Sequence, residues 1–216
     1  RDRYTKYFLH SGGNANSRNG DGQLYTRAPE SNGSDSFIYD PADPVPSVGG
    51  ARLLGGARDQ AKVESRGDVL VYTTPPLDEG VEVTGPISLV LYISSSAKDT
   101  DITAKLVDVH PDGRAYNIQD GILRLRYRDG FTQKVWMEEG EIYKVSIDMS
   151  ITSQYFAKGH RIRLQVSSSN FPNYERNLNT GGNNYDETSW VVAENTIYHS
   201  PENPSHLLLP VIPTAE

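Results

Sequence analysis

Cysteine is missing altogether from the 216 residues. A chain without thiols has no disulfide framework, no thiolate nucleophile and no cysteine-ligated zinc. Its compartment stays open, with the cytoplasm favoured over secretion. Long apolar runs are also missing: nothing approaches the roughly 20 residues that a membrane-crossing helix needs, and no secretory leader opens the sequence. Basic charge is scarce, with 21 Lys and Arg against 28 Asp and Glu and a net charge of −7. A backbone-phosphate binder ordinarily presents a basic face, so neither nucleic acid nor membrane is expected as a partner. Tryptophan is limited to Trp136 and Trp190, and hydrophobic residues reach only 36%. What is plentiful is punctuation, 19 glycines and 13 prolines. That mixture suits many short strands joined by turns, not a helical bundle.

The signatures of common chemistries are absent as well. An α/β-hydrolase needs G-x-S-x-G, because small neighbours let the serine sit exposed on a tight strand-to-helix turn. The chain has no such pentapeptide, no βαβ rhythm, no phosphate-cradling G-x-x-x-x-G-K and no H-E-x-x-H helix. No catalytic residue, cofactor or metal is therefore expected. None of the five histidines (His10, His110, His160, His199 and His206) lies within four residues of another, so no local metal pair forms and only the fold can bring them together. His110 reads as a surface turn residue, and His160 as a strand-start residue bonding a neighbouring loop. Asp99 and Asp101, in SSSAKDTD, have the residue type of hard-cation ligands, but the favoured expectation is solvated loop carboxylates. Tyr92, Tyr127, Tyr143 and Tyr198 are the raw material for a sugar-stacking platform, although core packing with the hydroxyl at the rim is the commoner use of such tyrosines.

Alternation carries the fold. Val69, Val71 and Thr73 alternate with Leu70, Tyr72 and Thr74; Ile87, Leu89, Leu91 and Ile93 share one face. Tyr143, Val145, Ile147 and Met149 form another such series, and Ile162, Leu164 and Val166 oppose Arg161, Arg163 and Gln165. Period-2 patterning of this kind buries one side of a strand and wets the other. By the same pattern Leu123, Leu125 and Tyr127 oppose an arginine stripe, Arg124, Arg126 and Arg128, read as a solvated strand face. His110-Pro111-Asp112-Gly113 and Asp129-Gly130 carry turn chemistry. The best helical candidate is one turn near Thr152 to Phe156. Two long loops, Ser11–Gly22 and Tyr39–Gly56, exceed ordinary connections; Pro41, Pro44 and Pro46 predict that the second runs extended across a surface. The expected fold is all-β: a jelly-roll-like antiparallel β-sandwich with long N-terminal loops and little helix, residues 1–216 forming one domain.

Several segments in one order resemble a known family. They include Tyr7-Phe8-Leu9 with Ser11-Gly12-Gly13, the stretch Tyr39-Asp40-Pro41-Ala42-Asp43-Pro44-Val45-Pro46, and Arg66-Gly67-Asp68-Val69-Leu70. Lys105-Leu106-Val107-Asp108-Val109 with Pro111-Asp112-Gly113-Arg114, Gly159-His160-Arg161-Ile162, and Ser167 through Pro172 continue the series. From Arg3 to Pro213 the chain is similar to the C-terminal domain of the cocaine-esterase/NonD and X-Pro dipeptidyl-peptidase family of serine hydrolases. The resemblance implies a jelly-roll-like, galactose-binding-like sandwich that itself lacks the catalytic serine, aspartate and histidine. Those belong to an N-terminal α/β-hydrolase domain with a helical cap, which is then the expected partner, with a homodimer as a further assembly. The family cleaves esters or amides through an acyl-enzyme, and some members release X-Pro dipeptides.

Within that frame the long loops are the expected contact elements, since a rigid sandwich presents loops to a neighbouring cleft. Leu53 and Leu54, set between glycines, are candidates for an apolar wall of the substrate pocket. Phe171 and Arg176, in Asn170-Phe171-Pro172-Asn173-Tyr174-Glu175-Arg176-Asn177, are candidates for an interdomain contact. The alternative reading is a carbohydrate-binding module, because jelly rolls commonly bind glycans.

Overall fold

A computed structural model describes residues 3–51 and 55–213. The described residues form eleven strands: β1 (Arg3–His10), β2 (Gln23–Tyr25), β3 (Ser34–Tyr39), β4 (Leu70–Thr73), β5 (Val81–Ser95) and β6 (Asp101–Val109), followed by β7 (Ala115–Arg124), β8 (Tyr143–Phe156), β9 (Arg161–Ser167), β10 (Ala193–Tyr198) and β11 (His206–Ile212). They connect in the order β3-β10-β5-β11-β1-β2-β4-β9-β6-β7, with β8 on the other side of β5. All the described ladders are antiparallel except β2 with β4. The path doubles back as a β-sandwich. One layer brings Leu89, Leu91 and Ile93 of β5, Val145, Ile147 and Met149 of β8, and Leu207 and Leu209 of β11 to the centre. The other supplies Ile102, Ala104 and Leu106 of β6, Ile162, Leu164 and Val166 of β9, and Leu70 and Tyr72 of β4. All belong to one buried cluster, the outcome expected when two alternating faces close on each other.

The hairpin at His110–Gly113 forms as its residues dictate. His110 N–H donates to the Arg114 carbonyl, Gly113 N–H to the His110 carbonyl, and Gly113 takes φ +87°, a conformation that costs a side-chain-bearing residue strain. Three expectations are corrected. Thr152 to Phe156 is not helical but the end of β8, laddered on Gly85 back to Val81. The strand expected through Tyr127 stops at Arg124, and Leu125–Tyr127 is a single 3₁₀ turn; period-2 alternation had simply continued into it. And the polar face of β9 is not wet at its far end. Gln165 and Ser167, with Lys105 of the neighbouring β6, are buried because the segment carrying Val45, Gln60, Val63 and Glu64 lies over them. Val45, Val63, Val69 and Val71 form a second apolar cluster beneath it, and Glu64 receives Arg163 at 2.6 Å and Gln165 at 2.9 Å. A polar face can be covered when every group on it is paired.

Candidate functional site

Two histidine–carboxylate clusters and one loop assembly hold the chemistry of this sandwich. The first lies between β3, β4 and the start of the Ser11–Gly22 loop. Asp35 on β3 is fully buried. Its Oδ2 accepts from Ser11 Oγ at 2.7 Å, from the Tyr72 hydroxyl at 2.7 Å and from His199 Nε2 at 2.9 Å; Oδ1 accepts the Ala15 N–H at 2.8 Å. Burial pushes this carboxyl up, but the hydrogen bonds from His199, Ala15, Ser11 and Tyr72 outweigh it and leave the pKa below its ordinary value. Burial and the Asp35 charge hold the Tyr72 phenol far above its usual range, so it stays a donor.

Serine, imidazole and carboxylate thus meet inside this chain, a gathering of residues 11, 35 and 199 that no local sequence pattern signals. They do not form a relay. In a nucleophilic triad the carboxylate holds one ring nitrogen while the other faces the hydroxyl. Here His199 Nε2 stands 3.0 Å from Ser11 Oγ and 2.9 Å from Asp35 Oδ2, so one nitrogen faces both. With its proton on Asp35, that nitrogen has no lone pair to take the serine proton, which is itself directed at Asp35. Gly13 N–H donates to Ser11 Oγ, and Gly33 leaves just enough room for the His199 ring: a Cβ there would stand 2.6 Å from Nδ1. The arrangement ties the first loop to β3 and β10. It is a structural knot.

The second cluster sits where β6 and β9 end. Val109 pairs with Arg161, so His110 and His160 stand opposite each other one step further on, with Asp108 two residues before His110 on the same strand face. His160 Nδ1 is 2.9 Å from Asp108 Oδ1. His160 therefore bonds the neighbouring strand β6 and not a loop. Gln154 Nε2 donates to Asp108 Oδ2 at 3.2 Å, and His110 Nε2 is 3.8 Å from that oxygen. The imidazole rings lie 4.3 Å apart. His110 opens onto a cleft of about 730 Å³ shared with Arg18, Gln23, Thr73, Arg161 and Arg163.

The remaining residues singled out in the sequence go to separate places. Asp99 and Asp101 are buried, not solvated. Asp101 takes Arg124 through Nε at 2.8 Å and Nη2 at 3.0 Å. Asp99 pairs with Arg126 Nε at 3.0 Å, and Asn177 bridges both carboxylates. The arginine stripe is accordingly no solvated face: Arg126 is buried, holding the carbonyls of Gly181 and Gly182, and Arg128 stacks 4.3 Å from the Tyr143 ring. The four tyrosines do not assemble, since Tyr92 pairs across the sheet with Tyr198 while Tyr143 pairs with Ile93, on the opposite face. Phe171 and Arg176 share one mooring. Phe171 N–H donates to the Val45 carbonyl and Ser47 N–H to the Phe171 carbonyl, and Arg176 Nη1 donates to the Pro41 carbonyl at 2.7 Å. Phe171 is exposed, as are Ile38 on β3 and Trp190, Val191 and Val192 before β10. Leu53 and Leu54 lie outside the described residues.

Among the described residues the serine–histidine–aspartate gathering of this two-layer β-body is locked, as suits an accessory domain of a larger enzyme. The comparisons agree. Residues 1–208 match the family described as X-Pro dipeptidyl-peptidase C-terminal non-catalytic domain, and the chain belongs to that family. It is 51% identical over 215 residues to cocaine esterase of Rhodococcus sp. (strain MB1 Bresler), covering 97% of this chain and 38% of that protein. Among solved structures, an aminopeptidase from a marine-sediment Thaumarchaeota archaeon superposes with a TM-score of 0.88 at 28% identity, over 98% of this chain and 37% of that one. An α-amino acid ester hydrolase follows at a TM-score of 0.85 and 29% identity, over 96% and 36%. The chain therefore spans little more than a third of the length of each.

Proposed function

We propose that this chain is the accessory part of a longer serine hydrolase, buttressing an α/β-hydrolase domain that carries the nucleophile and cleaves esters or amides by acyl transfer. The observation that carries the reading is the pairing of a non-catalytic family with relatives nearly three times as long, one an esterase, one an ester hydrolase and one an aminopeptidase by name. Phe171 and Arg176, both moored to the Pro41–Ser47 stretch, supply the interdomain contact, Phe171 being exposed. A rigid sandwich holding such a face costs little entropy on docking. Leu53 and Leu54 form an apolar wall of the acyl pocket, and a second copy of the chain is a further partner.

The test uses the longer protein. Phe171→Asp, whose moorings are backbone and so survive, should lower kcat/KM about tenfold, the equivalent of roughly 1.4 kcal/mol, while this domain's own unfolding midpoint holds. Leu53→Ser with Leu54→Ser should raise KM with kcat preserved. Unchanged kinetics in the first variant contradict the docking face; unchanged kinetics in the second contradict only the pocket wall.

A further inference from the structure

We propose that Asp108, His110 and His160 form a binding site for a divalent transition metal, zinc being the fitting ion. One carboxylate oxygen and one nitrogen from each imidazole lie within 4.8 Å of one another. Two imidazoles and a carboxylate are borderline donors; they suit zinc, cobalt, nickel or copper and not calcium or magnesium, which take oxygen-only shells.

The spacings also point to an ion. Atoms bound to one zinc at about 2.0–2.2 Å stand roughly 3.3–3.5 Å apart at a tetrahedral angle. His110 Nε2 and Asp108 Oδ2, at 3.8 Å, are too far apart for a hydrogen bond yet need close by only a few tenths of an ångström to share a metal. On the other side the 2.9 Å contact of His160 Nδ1 with Asp108 Oδ1 holds one proton, which a metal displaces to solvent. Asp108 is kept in place by Gln154, the outer-shell hydrogen bond that ligating carboxylates ordinarily carry. The three ligands come from the paired ends of β6 and β9 and from the start of the β6–β7 hairpin, so the framework is rigid.

The surrounding charge is partly balanced: Arg163 is neutralised by Glu64 and Arg114 by Asp112, whereas Arg161, which donates to the Thr74 carbonyl, and Arg18, which lines the same cleft, keep their positive charge. Side-chain exposure falls from 34% at His110 through 17% at His160 to 5% at Asp108. An ion here is held from the protein side and keeps at least one position open toward the cleft. That leaves room for water or an anionic ligand as the fourth donor.

Calorimetric titration of the chain with zinc, and cobalt absorption spectra in the visible, test the site. One equivalent should bind, with cobalt showing tetrahedral bands; calcium and magnesium should not compete. His110→Ala should weaken binding at least tenfold, as should His160→Ala, and Gln154→Ala by about tenfold, in the range found for outer-shell losses. His10→Ala should bind as the parent does. No ring hydrogen bond of His110 exists among the described residues, so His110→Asn, whose metal-free melting should match the parent, serves as the folding control. The absence of saturable binding by the parent, or parent-like affinity in a folded His110 variant, overturns the proposal.

Discussion

Asp35 and Asp108 each sit among imidazole and hydroxyl or amide donors, yet the two carboxylates have opposite standing. Asp35 is sealed, its Oδ2 taking three donors and its Oδ1 a fourth. Asp108 lies at a strand end, with His110 reaching toward it across a gap and facing a cleft. The residue types are nearly the same. What separates a structural knot from an available site is saturation: a carboxylate that already takes four donors, as Asp35 does, has no capacity for a ligand or a proton relay, whereas one that takes only His160 and Gln154, as Asp108 does, retains it.

The largest expected effect comes from breaking the knot. Asp35→Ala leaves Ser11, His199, Tyr72 and the Ala15 N–H without their acceptor, and should cost about 3–5 kcal/mol in urea unfolding. Asp108→Ala, which unpairs only His160 and Gln154, should cost roughly 1–2 kcal/mol. Equal losses would erase the contrast. Arg126→Met comes next: it strands the buried Asp99 carboxylate and should destabilise by about 3 kcal/mol, recovered in large part when Asp99→Leu is added.

Acid sharpens the contrast at smaller magnitude. Because the folded state depresses the Asp35 pKa, its contribution is present above the unfolded carboxylate value of about 3.9 and is lost as pH falls below it. The unfolding free energy of the parent should drop more steeply between about pH 5 and pH 3 than that of Asp35→Asn. A parallel decline in both would show that Asp35 is not the group responsible. The smallest effect belongs to the docking face. Phe171→Ser should change the stability of this chain by no more than about 0.5 kcal/mol, its consequences confined to the longer protein.

Much of this architecture was legible in the sequence. The alternating series at Leu70, Ile87, Tyr143 and Ile162 all became strands, and His110-Pro111-Asp112-Gly113 became the turn its chemistry demands. The misreadings have one physical source. Local alternation says which residues share a face, not what covers that face. Thus Gln165 was read as wet and is covered by the segment that brings Glu64, while Asp99 and Asp101 were read as solvated and meet Arg126 and Arg124 from across a hairpin. The histidine clusters were out of reach for the same reason, since 50 residues separate His110 from His160 and 188 separate Ser11 from His199. Only the register of β6 on β9, and of β10 on β3, brings them together. The resemblance, by contrast, pointed to the family from dispersed segments, because those residues answer to the whole fold.

On the proposed role, this β-body carries no working nucleophile of its own and serves a catalytic unit in a longer protein. The most direct measurement is reaction of the purified 216-residue chain with a fluorophosphonate probe, read by intact mass alongside turnover of a nitrophenyl ester. An unlabelled chain without turnover, indistinguishable from Ser11→Ala, is the predicted result. Stoichiometric labelling at Ser11 with turnover that Ser11→Ala abolishes would contradict it.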